Sequence, residues 1–140
     1  MYRYTLYVFS LISFIVMGSS VALHAQRVTQ WTSDGLGLFR MKKNALIIES
    51  AETGQTSQIV ISEKDLGRAD LLEAMDDFIW HEPSKQLLIF THTARVWRYN
   101  TKGDYWVFNT ANNTWKQLGK NRPSQTLMFA KFSPDGNQVA

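Results

Sequence analysis

Between Asp77 and Leu118 the chain alternates runs that are apolar at every position with short clusters of turn formers. The spacing predicts strands at Phe78–Trp80, Gln86–Phe90, Tyr105–Phe108 and Thr114–Leu118. His81–Lys85, Thr101–Asp104 and Thr110–Asn113 read as the turns between them. Leu87–Phe90 and Tyr105–Phe108 are apolar on both faces, whereas Thr114–Leu118 alternates polar with apolar. A sheet with covered middle strands and a half-wet last strand suits a β-propeller blade, which is sandwiched between two neighbours.

Upstream the pattern is less regular. Strands are expected at Leu36–Met41, Ala45–Glu49 and Gln58–Ile61, with turns at Asp34-Gly35 and Thr53-Gly54. Ser62–Asp76 is the one helical stretch: Ser62 can cap it, and Leu66, Leu71, Leu72 and Met75 give it an apolar side. Gly67 predicts that this helix is short or broken. Its acidic residues lack the spacing of a calcium loop and read as a solvated connector.

The pattern also repeats. Trp31-Thr32-Ser33-Asp34-Gly35, Trp80-His81-Glu82-Pro83-Ser84 and Phe132-Ser133-Pro134-Asp135-Gly136 align without gaps, at spacings of 49 and 52 residues. A period near fifty, with a turn after an aromatic-ended strand, is the mark of a radial β repeat. The second unit carries about eleven extra residues at Thr91–Thr101. Insertions into repeats commonly map to a binding face, so Arg95 and Arg98, with Trp97 and Tyr99, become the first candidate site residues.

Composition narrows this picture. The formal charge of +3 over 140 residues is too small a bias to point to nucleic acid or an anionic membrane. Arg95, Arg98 and Lys102 do interleave with Trp97 and Tyr99, but Asp104 interrupts the cluster. Cysteine is absent, which excludes disulfides and thiolate metal sites. Residues 1–25 have the form of a secretory signal peptide: Arg3, the apolar run Leu6–Met17, then small residues up to Ala25, with cleavage expected before Gln26. The alternative is a retained anchor, for which the apolar run is shorter than the roughly 20 residues of a span. The expected arrangement is therefore signal peptide 1–25 followed by the propeller portion 26–140, in a secreted or periplasmic protein with no stable membrane anchor.

Catalytic patterns are missing. His81-Glu82 begins like a zinc helix motif, but Pro83 follows and position 85 is Lys. No G-x-S-x-G occurs. Gly35-Leu36-Gly37 lacks both the third glycine and the helix of a phosphate loop. Ser133-Pro134-Asp135-Gly136 is a turn, and Asn112-Asn113-Thr114 is a glycosylation triplet only by composition. No cofactor or metal is expected. Gln138-Val139-Ala140 aligns with the opening of the buried strand at Gln86, so the sequence is expected to be the front of a longer protein whose ring needs further blades.

Leu87–Thr91, Val96-Trp97-Arg98, Asp104–Val107 and Leu127–Gly136 together resemble the N-terminal propeller of the dipeptidyl peptidase IV family, serine exopeptidases of the prolyl oligopeptidase clan. The resemblance runs from about Trp31 and is strongest from Asp77. It implies an eight-bladed propeller capping an α/β-hydrolase domain, which carries the catalytic residues outside this sequence. It further implies release of X-Pro or X-Ala dipeptides from peptides with a free N-terminus, and a possible homodimer of the full-length protein. In the family an arginine reaches a substrate carbonyl, and the Trp-Arg pair places that role on Arg98. The family's glutamate pair has no match here, and Glu49, Glu52 and Glu63 do not take its place. Arg suits such a task because its charge is permanent and its donors form a rigid fork. The alternative for Arg98 is an ion pair with Asp104 or a backbone cap. Two other functions stay open: a non-enzymatic periplasmic binding propeller, and a different peptidase of the same clan.

Overall fold

The computed structural model describes residues 30–140; the expected signal peptide lies outside the described residues. Two antiparallel sheets follow one another along the chain. The first has β1 (Gln30–Trp31), β2 (Gly37–Lys42), β3 (Ala45–Ser50) and β4 (Thr56–Ile61), side by side in sequence order. Two short helices follow, α1 (Glu63–Leu66) and α2 (Ala69–Glu73). The second sheet has β5 (Met75–His81), β6 (Gln86–Val96), β7 (Tyr99–Asn109) and β8 (Thr114–Gln117), again in sequence order. A two-residue strand, β9 (Leu127–Met128), adds to β7 beyond the end of β8.

Simple nearest-neighbour order follows from the turns. Lys43 and Asn44 both sit at positive φ, 50° and 58°, between the paired residues Lys42 and Ala45. That is the backbone a two-residue hairpin needs to match the twist of its strands. Ser62 caps α1 as its composition predicts, accepting from the Asp65 amide at 3.3 Å. Gly67, at φ 59°, ends α1 in the left-handed region and separates it from α2.

The connector is not merely solvated. Leu66, Leu71 and Leu72 are buried, and they join Phe39, Leu46 and Ile61 of the first sheet and Phe78, Trp80, Leu87, Ile89 and Phe108 of the second in one core. The alternation along each strand explains this arrangement. Leu87 and Ile89 face the first sheet, while Leu88 faces the opposite side with Tyr105 and Val107. That opposite side meets Leu127, Ala130, Phe132 and Val139, where the third copy of the repeat begins. The second sheet is therefore apolar on both faces because both faces are covered.

The repeat seen in the sequence is also a repeat of hydrogen bonds. In the first turn Thr32 Oγ1 donates to Asp34 Oδ1 at 2.6 Å and accepts from the Gly37 amide at 2.9 Å, and Asp34 Oδ1 also accepts from the Leu36 amide. At positions 101 residues later, Ser133 Oγ donates to Asp135 Oδ1 at 2.6 Å and accepts from the Gln138 amide at 3.0 Å, and Asp135 Oδ1 accepts from the Asn137 amide. Gly35 and Gly136 share the same conformation, φ 73° and 71°. The hydroxyl of Ser133 holds the Asp135 carboxyl at a pKa of about 2, well below the usual carboxylate range. Because that pKa is depressed by folding, the turn's contribution is present above about pH 4 and is lost as pH falls toward 2. Ser133→Ala is expected to move the Asp135 titration upward in a carboxyl-detected NMR experiment; an unmoved titration would contradict this turn geometry.

The extra residues of the second unit differ from expectation. Thr91–Thr101 is not a loop inserted between finished strands, and Thr101–Asp104 is not a turn. β6 and β7 continue through these residues as a single long hairpin, paired from Gln86↔Asn109 to Val96↔Tyr99, and turning only at Trp97-Arg98. The sequence hides this because beyond Thr91 every position of the added length is exposed or only half-buried, so it lacks the apolar alternation that identifies a strand with one covered face.

Candidate functional site

The arm, residues 92–102, projects from the second sheet and carries the candidate residues. Its direction is set at its foot by two irregularities of register. Thr91 pairs with Asp104 and Ala94 with Lys102, so two residues of β6 oppose only Gly103. Arg95 then pairs with Asn100, which leaves Thr101 as the extra residue on β7. Each bulge bends its strand and increases its local twist, so two so close together redirect the hairpin at its foot. His92 takes the left-handed conformation, φ 47°, that the first bulge requires.

Gly103 makes this approach possible. A Cβ there would lie 2.4 Å from Phe90 Cε2 and 2.7 Å from the Thr91 carbonyl oxygen. Gly103→Ala is therefore expected to cost about 1–3 kcal/mol through overpacking. The loss should appear as a lowered unfolding midpoint together with faster amide exchange in the arm. A variant as stable as the parent would show that the strands do not come this close.

At the tip Trp97 sits at φ 62° and Arg98 follows it in the two-residue turn. Trp97 is 93% exposed and Tyr99 68%. Arg98 is exposed as well, and among the described residues it has neither an ion pair nor a side-chain hydrogen bond. Asp104 does not pair with it. The Asp104 carboxylate is mostly buried and accepts instead from Ser124 Oγ at 2.5 Å and the Gln125 amide at 2.8 Å. Arg95 is exposed too, one position before the arm's last paired residue on β6. Lower on the arm, Asn100 Nδ2 donates to Thr93 Oγ1 at 2.9 Å and braces the two strands across the hairpin.

A cavity of about 380 Å³ opens at the foot of the arm. Asn100 and Thr101 form its arm side, Ile79, Leu88 and Phe90 its floor, and Phe129 its far wall. Tyr105 also lines it; burial pushes the Tyr105 hydroxyl pKa upward, so the phenol stays neutral at ordinary pH. The surroundings are apolar with a few hydrogen-bonding groups. Asp77 and Lys131 add one charge of each sign to its lining, and a mostly apolar cavity with a few polar groups is the form of a binding site.

His81 has a structural role. His81 Nε2 lies 3.2 Å from the Pro134 carbonyl oxygen, so it is the protonated nitrogen, and Nδ1 accepts from Ser84 Oγ at 2.7 Å and from the Ser84 amide at 3.3 Å. A serine hydrogen-bonded to a histidine resembles half of a nucleophilic pair. Here the pair links two repeat turns: a Cβ on Gly136 would lie 2.4 Å from Ser84 Oγ, and the His81 ring packs 5.2 Å from that of Phe132. Local sequence carries no sign of this role, because the partner turn lies more than fifty residues away. Among the described residues no group of three or more His, Asp or Glu is placed to hold a metal ion.

Successive antiparallel sheets, each built on four strands in sequence order and packed face to face, define the first blades of a β-propeller. The solved dipeptidyl peptidase 4 of Porphyromonas gingivalis shares this fold: its crystal structure matches 81% of this chain, and 16% of its own, with a TM-score of 0.64 at 18% identity. The family model described as the dipeptidyl peptidase IV (DPP IV) N-terminal region matches residues 81–140. That match covers 60 of the 140 residues, and over it the chain is similar to the N-terminal region of that family. The chain is also 28% identical over 116 residues to a probable dipeptidyl-aminopeptidase B of Aspergillus niger, covering 81% of this chain. It is 21% identical over 136 residues to the dipeptidyl aminopeptidase B of Saccharomyces cerevisiae, covering 92% of this chain. It spans 12% and 16% of the length of these two relatives.

Proposed function

We propose that the chain is the substrate-contacting front of a secreted serine exopeptidase that releases X-Pro and X-Ala dipeptides from peptide N-termini. Its blades contribute binding, and the bond-breaking residues belong to a hydrolase domain elsewhere in the full-length protein. The relatives' names supply the dipeptidyl activity; the observation that carries the reading to this chain is Arg98. A guanidinium at the tip of a paired hairpin, exposed and without an ion pair among the described residues, remains available to a ligand. An exopeptidase that counts two residues from a terminus needs such a fixed donor to hold a substrate carbonyl.

Purified full-length protein is expected to release the dipeptide from a Gly-Pro-p-nitroanilide substrate, and to leave the same substrate untouched once its N-terminus is acetylated. Equal cleavage of the blocked peptide would favour an oligopeptidase of the same clan, and no cleavage of either would favour a binding propeller. Export through residues 1–25 is part of the proposal. The mature N-terminus, read by mass spectrometry after expression with the segment intact, is expected at Gln26; retention of Met1 would refute export by cleavage.

A further inference from the structure

Asp104 stands where the blade, the arm and the loop before β9 meet. We infer that Asp104 is a positioning residue whose carboxylate clasps that loop and so fixes the angle at which the arm presents Arg98. This rests on the proposed contact between Arg98 and a substrate peptide.

β9 is two residues long and pairs only through Lys102↔Met128 and Gly103↔Leu127. So short a strand does not hold itself in place. Its pairing partners are the residues at the arm's foot, next to both bulges. Whatever fastens β9 therefore stiffens the arm where it is bent. Immediately before β9, Ser124 Oγ and the Gln125 amide donate to the two oxygens of Asp104, at 2.5 Å and 2.8 Å. A carboxylate accepts at both oxygens, and charge strengthens both bonds. With only 13% of its side chain exposed, Asp104 is little weakened by competing water.

The same residue reaches toward β6. The Asp104 carbonyl oxygen accepts from Oγ1 of the fully buried Thr91 at 3.3 Å, and His92 Nδ1 lies 3.9 Å from Asp104 Oδ2. One position thus ties β9, β7 and the start of the bulge together. After β9, Phe129 turns through φ 57° and forms the wall of the cavity at the arm's foot. Releasing the clasp would let the arm and this wall move with respect to each other.

The test uses the full-length protein and X-Pro-p-nitroanilide substrates. Asp104→Ala is expected to raise KM about tenfold while kcat stays within about twofold, since misplacing a remote binding group mainly weakens substrate capture. Asp104→Asn, which keeps one acceptor, should lose less. Ser124→Ala should move KM in the same direction while leaving the blade core intact, and it carries the test if Asp104→Ala fails to fold. Because Asp104 acts through the arm, Asp104→Ala combined with Arg98→Ala should be no worse than Arg98→Ala alone. Amide exchange at Tyr99 and Asn100 should speed up in the Asp104 and Ser124 variants. Unchanged KM and unchanged arm exchange would overturn the inference, and so would losses that multiply in the double variant. If the parent protein shows no X-Pro activity, the proposed function fails, while arm exchange still decides whether the clasp exists.

Discussion

Phe108→Ala is expected to destabilise the propeller by about 3–5 kcal/mol, a loss at the upper end for a single truncation. Phe108 is fully buried, lies between Leu87 and Trp115 in the strand register, and packs its ring 4.9 Å from that of Trp115. It belongs to the core shared by both sheets, together with Phe39 and Trp80. Removing the ring leaves a void between two blades, and the β-strands on either side are too constrained by their ladders to close it. Chemical denaturation of the full-length protein, followed by amide exchange of β6 and β7, reads the effect. A shift below about 1 kcal/mol would mean that the sheets are not packed face to face. Trp97→Ala is the internal control: at 93% exposure it should stay within about 0.5 kcal/mol of the parent.

The second large effect concerns binding. Arg98→Ala is expected to lower kcat/KM for X-Pro substrates by about ten- to hundredfold, the loss of a charged hydrogen bond of roughly 1.5–3 kcal/mol. Stability should hardly change, because the side chain is exposed and has no ion-pair partner among the described residues. Arg98→Lys should restore charge without the planar fork and recover only part of the activity. Steady-state kinetics on purified variants measures this. Parental kinetics in Arg98→Ala would remove Arg98 from substrate contact and leave it as an exposed charge on the arm.

Much of the fold is legible in the sequence because burial imposes period and punctuation. Leu87–Phe90 and Tyr105–Phe108 read as two-sided strands since neighbours cover both faces, and the first and third copies of the repeat match since the same turn geometry demands the same small hydroxyl, Asp and Gly positions. The helical connector is legible at its ends, where Ser62 and Gly67 have local roles, but not along its side, since the sheets that bury Leu66, Leu71 and Leu72 are distant in sequence. The arm shows itself as surplus length rather than as a pattern. Its strands extend into solvent, and its bulges depend on where Gly103 meets Phe90, which no local pattern encodes. The site divides in the same way. Arg98 stands out as a charge beside exposed aromatics in extra chain, whereas the two donors that occupy Asp104 come from a loop twenty residues on.

Substrate contact by Arg98 is tested most sharply by a crystal structure of the full-length protein with an uncleaved X-Pro peptide analogue bound. A guanidinium nitrogen of Arg98 is expected within about 2.7–3.2 Å of a peptide carbonyl oxygen, with the arm projecting from the second blade as described. A peptide bound elsewhere, with Arg98 in solvent or paired to a protein carboxylate, would contradict it.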